Sequence, residues 1–234
     1  VADAVRGPDI HYPTPGLLCL ENTHNRSGGR IVAPDRFDAL CRAARDKSLR
    51  IHLDGARIFN AAIAAGVDVQ TFVRPVDSVM FCLTKGLSCP LGSLLCGSER
   101  FVRRADHVRR ALGGGLRQAG VIAAPGIVAL ETMVTRLADD HARAKRLARG
   151  LSGLDGWSVD LAAVETNMVN ADHRGLGSST DAVLERLAAA GVIASGRPPA
   201  QIRFVTNRHH DDATVDEALS RIATVRPPST GPTA

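Results

Sequence analysis

Lys85 lies at the end of an apolar run, where its amine could act as a reactive group. It closes the stretch SVMFCLTK, in which residues 79–83 are apolar, and the 29 basic residues of the chain include only two other lysines, Lys47 and Lys145. Desolvation beside a buried strand favours the neutral form of an amine, and a neutral lysine amine attacks carbonyl groups to form Schiff bases. We therefore interpret Lys85 as a candidate Schiff-base lysine. The alternative is a surface lysine in a turn.

Asp54 is the second residue that could take part in such chemistry, because it closes the strand-like run RIHLD. Pyridoxal phosphate enzymes combine a Schiff-base lysine with a carboxylate that keeps the pyridine nitrogen protonated, so that the ring accepts electrons. The alternative for Asp54 is an N-cap of the helix that follows it. Glu21, Asp54 and Lys85 follow three successive apolar runs. Ligands of parallel α/β sheets bind at the carboxyl ends of the strands, so the sequence predicts a site at this edge.

The elements that would position these residues alternate along the first part of the chain. Short apolar runs typical of buried strands are separated by amphipathic patterns typical of helices. This favours an α/β fold with a mostly parallel sheet and flanking helices. The predicted strands cover 16–21, 49–54, 77–83 and 92–97, and the predicted helices cover 35–48, 56–66, 99–112 and 119–150.

The pattern changes near residue 150, beyond which a smaller α/β unit is predicted. This divides the chain into domains at 1–150 and 151–226. Residues 227–234 are rich in proline, serine and threonine and are predicted to form a disordered tail. Within the second domain, strands are predicted at 157–161, 166–172 and 201–207, and helices at 178–191 and 211–225.

Composition argues against several other classes of function. The net charge is +5 and the isoelectric point is near 9.3, but the arginines are scattered and the chain has one Trp and one Tyr. A nucleic-acid partner is therefore not expected. No run reaches transmembrane length and no signal peptide is recognisable, so no membrane partner is expected. The five cysteines form no Cys-x-x-Cys pair, which predicts free thiols and a cytoplasmic location.

A set of ordered motifs extends from about Asp9 to near Val225. They are LLCLENTHNRSGG, IHLDGARIFNAA, SVMFCLTKGL, PLGSLL, LGGGLRQAGVIAAPGIVAL and the pair Asp140–His141. Together they resemble the low-specificity L-threonine aldolases, pyridoxal phosphate enzymes of the aspartate-aminotransferase fold group. The resemblance implies that 1–150 is the C-terminal part of the cofactor-binding large domain of a fold-type I enzyme. It implies that 151–226 is the small C-terminal α/β domain.

The resemblance assigns roles to the residues that match the family's motifs. Lys85 binds the cofactor as a Schiff base, and Asp54 pairs with the pyridinium nitrogen. Arg57 in DGAR and Arg203 in QIRFVTN hold the substrate carboxylate, which a planar guanidinium can bind through two hydrogen bonds. The alternative for Arg203 is a surface arginine on an edge strand.

Two histidines and one further arginine complete the implied site, which includes no metal. His11 in DIHY is a candidate general base near the substrate hydroxyl. His24 in ENTHN is a second candidate, which could instead cap a loop. Arg117, beside Gln118 in GGGLRQ, resembles a residue near the cofactor phosphate, across a subunit boundary.

The implied reaction is the retro-aldol cleavage of L-threonine or L-allo-threonine to glycine and acetaldehyde, with pyridoxal 5′-phosphate as cofactor and a homotetramer as the assembly. One alternative is a β-eliminating lyase or phenylserine-type aldolase of the same family. Another is a non-catalytic fragment or subunit partner. The family's N-terminal segment, with its phosphate-binding turn, has no counterpart in the sequence. We therefore expect weak cofactor binding, slow turnover and, because a strand edge stays unpaired, poor solubility.

Overall fold

The computed structural model describes residues 1–7 and 9–227 of the chain. Most of the predicted disordered tail, residues 228–234, lies outside the described residues. The described chain divides into two compact units. The first comprises Val1–Asn25 and Ile31–Leu137, and the second comprises Arg26–Arg30 with the chain from Ala138 onward. The division into domains at residue 150 stays a prediction.

The first unit is built on a four-stranded sheet with the order β1-β2-β3-β4. The first three strands are parallel, and β4 pairs antiparallel with β3 at the edge. This confirms the predicted α/β class with a mostly parallel sheet, and the four strands lie where the apolar runs placed them. Their bounds are β1 Leu17–Glu21, β2 Arg50–Asp54, β3 Ser78–Cys82 and β4 Ser93–Gly97.

Helices connect and follow these strands. The segment 119–150, predicted to be helical, forms two helices separated by a turn at residues 133–136. The turn contains neither glycine nor proline, and the proline that does occur, Pro125, lies inside the first of the two helices. The bounds are α1 Pro34–Asp46, α2 Ile58–Ala65, α3 Gln70–Val73, α4 Glu99–Ala111, α5 Gly120–Thr132 and α6 Leu137–Ser152.

No single helix of the described chain is both long and apolar enough to cross a bilayer. The bent pair of α5 and α6 meets those two requirements when its members are taken together.

The core of the first unit lies on one face of the sheet. Side chains alternate between the two faces of a strand, so Ile51 and Leu53 of β2 point to the same face, together with Val79 of β3. These three are buried against helical residues that include Phe37 and Phe72, whose rings meet edge to face at 5.4 Å. The other face carries Arg50 and Asp54, which are exposed, and half-buried His52.

The second unit contains a three-stranded antiparallel sheet with the order β5-β7-β6. The strand predicted at 157–161 is wrong: Ser158 forms only an isolated bridge to Asp172, and Leu161–Ala163 is a 3-10 turn. Strand β6 was not predicted, because its three residues, SGR, carry no apolar signal. The bounds are β5 Met168–Asp172, β6 Ser195–Arg197, β7 Gln201–Val205, α7 Thr180–Ala189 and α8 Asp212–Ile222.

The core of the second unit supports a matched stability test. Ile202 of β7 is fully buried in the cluster that contains Trp157, whereas Ile193 is 94% exposed. We predict that Ile202→Ala lowers the free energy of unfolding by about 2–4 kcal/mol, because it leaves a cavity in a packed core. Ile193→Ala is expected to change it by less than about 0.5 kcal/mol. Urea unfolding followed by the fluorescence of Trp157, the one tryptophan of the chain, measures both; equal losses would contradict the described core.

Candidate functional site

Lys85 and Asp54 lie at the same edge of the first unit's sheet. Asp54 is the last residue of β2, and Lys85 follows the end of β3 by three residues. Strands β2 and β3 are parallel neighbours, with Asp54 in register with Met80. Because parallel strands end at a common edge, the pairing brings the carboxylate and the amine to the same side of the sheet.

The turn that carries Lys85 is held by its own backbone. The amide of Ser88 donates to the carbonyl of Lys85 at 2.9 Å, and the amide of Cys89 donates to the carbonyl of Leu83 at 2.9 Å. An added Cβ on Gly86 would lie 2.6 Å from Cδ2 of Leu137, a fully buried side chain that would have to shift. Packing therefore favours glycine directly after Lys85.

The Lys85 side chain is exposed, and its Nζ donates to Sγ of Cys82 at 3.2 Å. It forms no ion pair with a carboxylate anywhere in residues 1–7 and 9–227. Sequence reasoning did not identify Cys82 as a neighbour of the amine. The spacing of three residues could not reveal it, because Cys82 ends a strand and the turn after it has no regular periodicity.

The Asp54 carboxylate has one described partner. Its Oδ1 accepts a hydrogen bond from the backbone amide of Ala56 at 3.0 Å, which holds the turn after β2. The N-cap of α2 is Arg57, so the alternative of Asp54 as a helix N-cap is wrong. The side chain is exposed, and Oδ2 makes no hydrogen bond within the described chain. Asp54 can therefore hold the turn with one oxygen and receive a proton donor with the other.

This set of donors fits pyridoxal phosphate. The cofactor needs an amine for its aldehyde and a carboxylate for its pyridine nitrogen, and Lys85 and Asp54 present both from adjacent strand ends on one edge. Both side chains are exposed, so a ligand can reach them. No cluster of three histidine, cysteine or acidic side chains suited to a metal ion occurs in the part of the chain that the structure describes.

Arg57 is placed by the turn that follows β2. The amide of Gly55 donates to the carbonyl of Met80 at 2.9 Å, and an added Cβ on Gly55 would lie 2.9 Å from the same oxygen. This close approach ties the DGAR segment to β3 and leaves Arg57, half-buried, at the N-cap of α2. Arg57 thus belongs to the same edge as Asp54.

The two candidate histidines occupy different surroundings. His11 is exposed in a turn, where its backbone amide donates to Oδ1 of Asp9 at 2.8 Å. His24 is also exposed and follows β1, with its Nε2 3.6 Å from Oε2 of Glu21. Because β1 is parallel to β2, His24 lies beyond the same edge as Asp54, whereas no described contact ties His11 to that edge.

Arg117 lies in the exposed connection between α4 and α5. It makes no hydrogen bond or ion pair with any residue in the described ranges. Gln118 beside it adopts a left-handed backbone, with φ of 53°. The structure therefore leaves the Arg117 guanidinium available to a ligand and does not bring it to Lys85.

Arg203 belongs to the second unit, where it lies on the central strand β7. Its neighbours Ile202 and Phe204 point into the core, so Arg203 points to the opposite face, in register with Asn170 of β5. Burial, followed by the charge of Arg197, lowers the pKa of Arg203 from its ordinary value. Because β7 is the central strand of its sheet, the alternative of a surface arginine on an edge strand is contradicted for Arg203.

The Asp140–His141 pair is buried near the start of α6. The hydroxyl of Thr206 donates to the Asp140 carbonyl at 2.6 Å, which ties this helix to the segment after β7. Burial lowers the pKa of His141 from 6.5 to about 4, and the charge of Lys145 adds to this shift. His141 is therefore neutral at physiological pH, which suits a structural imidazole more than a proton carrier.

The depressed pKa of His141 predicts how stability depends on pH. Above pH 6.5 the histidine is neutral in both the folded and the unfolded chain. As the pH falls from 6.5 towards 4, only the unfolded chain takes up the proton, so stability falls by up to about 3 kcal/mol. We expect His141→Gln to remove this slope in urea unfolding measured between pH 4 and 7. His209→Gln, at an exposed position, should retain it, and an unchanged slope in His141→Gln would refute the assignment.

Several known proteins are similar to this chain in sequence. A family model described as beta-eliminating lyase matches residues 1–174. A low-specificity L-threonine aldolase from Arabidopsis thaliana is 41% identical over 216 residues, which cover 91% of this chain and 60% of the relative. A low specificity L-threonine aldolase from Escherichia coli K12 is 40% identical over 169 residues, covering 72% of this chain and 49% of the relative.

A solved structure shares the fold. It comes from Exiguobacterium sp. 255-15 and is described as an aromatic amino acid beta-eliminating lyase/threonine aldolase. It superposes with a TM-score of 0.76 at 22% identity, covering 89% of this chain and 62% of its own. The chain therefore spans about half to three fifths of the length of these relatives.

Proposed function

The chain belongs to the beta-eliminating lyase family, and from this membership we propose that it carries the lysine and carboxylate of a pyridoxal phosphate-dependent threonine aldolase. The proposed reaction is retro-aldol cleavage of L-threonine or L-allo-threonine to glycine and acetaldehyde. The observation that carries the proposal is the position of Lys85 and Asp54 at adjacent, parallel strand ends. Because the chain spans 60% of its Arabidopsis relative, the activity is proposed for the whole enzyme to which this sequence corresponds.

The cofactor supplies a ring that accepts the electron pair released when the Cα–Cβ bond of the substrate breaks. The Lys85 amine would hold its aldehyde carbon. Oδ2 of Asp54 would accept a hydrogen bond from the protonated pyridine nitrogen and so keep the positive charge there. Oδ1 of Asp54 already accepts from Ala56, which fixes the orientation of the carboxylate before a ligand arrives.

The remaining residues would bind and orient the substrate. Arg57 and Arg203 are proposed to hold its carboxylate, which directs the Cα–Cβ bond relative to the ring. His24 or His11 would remove the proton of the β-hydroxyl group, directly or through water. Between these two, the position of His24 beyond the end of β1 favours His24, because β1 ends at the same edge as β2.

The proposed assembly is a homo-oligomer, with a tetramer as the form that the family resemblance implies. Arg117 makes no described contact within its own chain. An arginine that is exposed and unpaired suits a role at the cofactor phosphate of a neighbouring subunit. The substrate class is a small amino acid. The five cysteines are all free, which supports a reducing compartment such as the cytoplasm.

Two other functions stay open. The name of the matching family model favours a β-eliminating lyase, or a related aldolase acting on a phenylserine-type substrate, because both use the same lysine and carboxylate. The other is the non-catalytic fragment or subunit partner. Incubation with L-threonine separates them by product: glycine with acetaldehyde for the aldolase, ammonia with a keto acid for the eliminating lyase, and neither for the non-catalytic partner.

Covalent trapping tests the central assignment even where cofactor binding is weak. We predict that treatment with pyridoxal phosphate and then borohydride attaches the cofactor to Lys85, as read by mass spectrometry of peptides. Lys85→Ala is expected to lose the adduct, because it removes the amine, whereas Lys47→Ala, at another exposed lysine, retains it. An adduct divided equally among the lysines, or visible cofactor absorbance that persists in Lys85→Ala, would rule out the assignment.

The role of Arg203 is tested through substrate affinity. We expect Arg203→Gln to raise the glycine or L-threonine concentration that half-saturates the change in cofactor absorbance by about 10- to 100-fold. The reason is that a charge-assisted hydrogen bond contributes about 1.5–3 kcal/mol. Arg208→Gln, at an exposed position in the same unit, serves as the control and should leave the concentration unchanged. Equal effects of the two substitutions would argue against carboxylate binding by Arg203.

A further inference from the structure

His24 lies in a short loop, residues 23–31, which we call the His24 loop. The side chain of Asn22 joins the two ends of this loop. Its Nδ2 donates to the carbonyl of Val32 at 3.2 Å, and its Oδ1 accepts from the amide of Val32 at 3.1 Å. Asn22 is fully buried and directly follows β1, so the base of the His24 loop is fixed to the first unit's sheet.

Two glycines in the His24 loop belong to the second unit and pack against side chains there. Gly28 and Gly29 both have left-handed backbones, with φ of 81° and 77°. The hydroxyl of Thr166, which is fully buried, donates to the carbonyl of Gly29 at 2.7 Å. An added Cβ would lie 2.8 Å from Nδ2 of Asn170 at Gly28, and 2.5 Å from Oγ1 of Thr166 at Gly29. Glycine therefore permits this close approach of the backbone.

The same glycines make an anchor necessary. Glycine has more backbone freedom than any other residue, so a loop with two in succession loses more entropy when it is ordered. The Thr166 bond can offset that loss, because it is buried and its rupture would leave the carbonyl of Gly29 without this partner. The ion pair between Arg30 and Glu165 is a weaker anchor, since the Arg30 side chain is 51% exposed and exposed ion pairs contribute little.

We propose that Thr166 is a positioning residue for His24, an inference that rests on the proposed role of His24 as the general base. Gly29 follows His24 by five residues, which span at most about 18 Å when fully extended. With its base fixed by Asn22 and its glycines fixed by Thr166, the loop has few courses left, and the imidazole is carried on it. A base must lie within hydrogen-bond reach of the hydroxyl group, and a displacement of about 1 Å can slow a reaction about 100-fold.

Amide hydrogen exchange in the full chain tests whether Thr166 holds the loop. The readout is mass spectrometry of a peptide covering residues 22–33, in which the amides of Asn25 and Val32 are hydrogen-bonded to side chains. Thr166→Val removes the hydroxyl at nearly the same shape and should speed exchange of this peptide about tenfold or more. Thr166→Ser keeps the hydroxyl and should restore slow exchange.

Two further variants separate loss of the anchor from general loss of stability. Thr206 is also a buried threonine of the second unit, and its hydroxyl donates to the Asp140 carbonyl at 2.6 Å, away from the loop. Thr206→Val should therefore change exchange of the loop peptide by less than about twofold. Arg30→Gln should change it by less than about threefold, because it removes only an exposed ion pair. Circular dichroism confirms that each variant is folded.

Kinetics with pyridoxal phosphate and L-threonine test whether the loop serves His24. Thr166→Val should lower kcat about 10- to 100-fold and change KM by less than about threefold, because the proton transfer, and not substrate binding, depends on the place of the imidazole. Thr166→Ser should recover most of kcat. Failure of the unsubstituted chain to release glycine would refute the proposed reaction instead, and the exchange data would still decide whether Thr166 holds the loop.

Several results would overturn the proposal. They are unchanged exchange of the loop peptide in Thr166→Val, equal effects of Thr166→Val and Thr206→Val, and fast exchange that persists in Thr166→Ser. An unchanged kcat in a Thr166→Val protein whose loop exchanges rapidly would also overturn it, since the loop would then move without consequence for His24.

Discussion

Parallel pairing of β1, β2 and β3 is the constraint on which the proposed site depends. Parallel pairing sets Glu21 in register with Asp54 and Asp54 in register with Met80, so the carboxyl ends of the three strands meet at one edge. The segments that follow the three strands therefore begin at the same edge of the sheet, although 64 positions separate Glu21 from Lys85 (85 − 21). The pairing itself involves no side chain of the site, so the site residues can vary without loss of their placement.

Close backbone contacts refine that placement. Gly55 directly follows Asp54, and Gly86 directly follows Lys85. At each glycine an added Cβ would lie within 3 Å of a neighbouring atom. At Gly55 the neighbour is a backbone oxygen, which cannot move aside without breaking the contact between the DGAR turn and β3. The candidate reactive residues and the tightly packed glycines thus lie in the same short segments. This is why the motifs extend beyond the reactive residues themselves.

The sequence allowed some of this to be predicted, and the limits have physical reasons. Most strands of the first unit were predicted because they are continuously apolar, as buried parallel strands are, and β2 was predicted because apolar and polar residues alternate along it. The three polar residues of β6 gave no such signal, and the run WSVDL alternates like a strand although only Ser158 pairs. The contact between Lys85 and Cys82 was not predicted, because it forms in an irregular turn. In such a turn, spacing along the sequence does not tell which way a side chain points. The roles of His11, Arg117 and Arg203 stay predictions, because they depend on a ligand and on subunit contacts.

The uncovered sheet face and the proposed site are not independent. Asp54 lies on the same face of β2 as Arg50, four residues away or about 13 Å along the strand. A covering that extended along this face would exclude water from the surroundings of Asp54. Exclusion of water lowers the local dielectric constant and so strengthens the attraction between a carboxylate and a protonated ring nitrogen. Completing the sheet face would therefore strengthen the electrostatic part of cofactor binding without adding a contact to the cofactor.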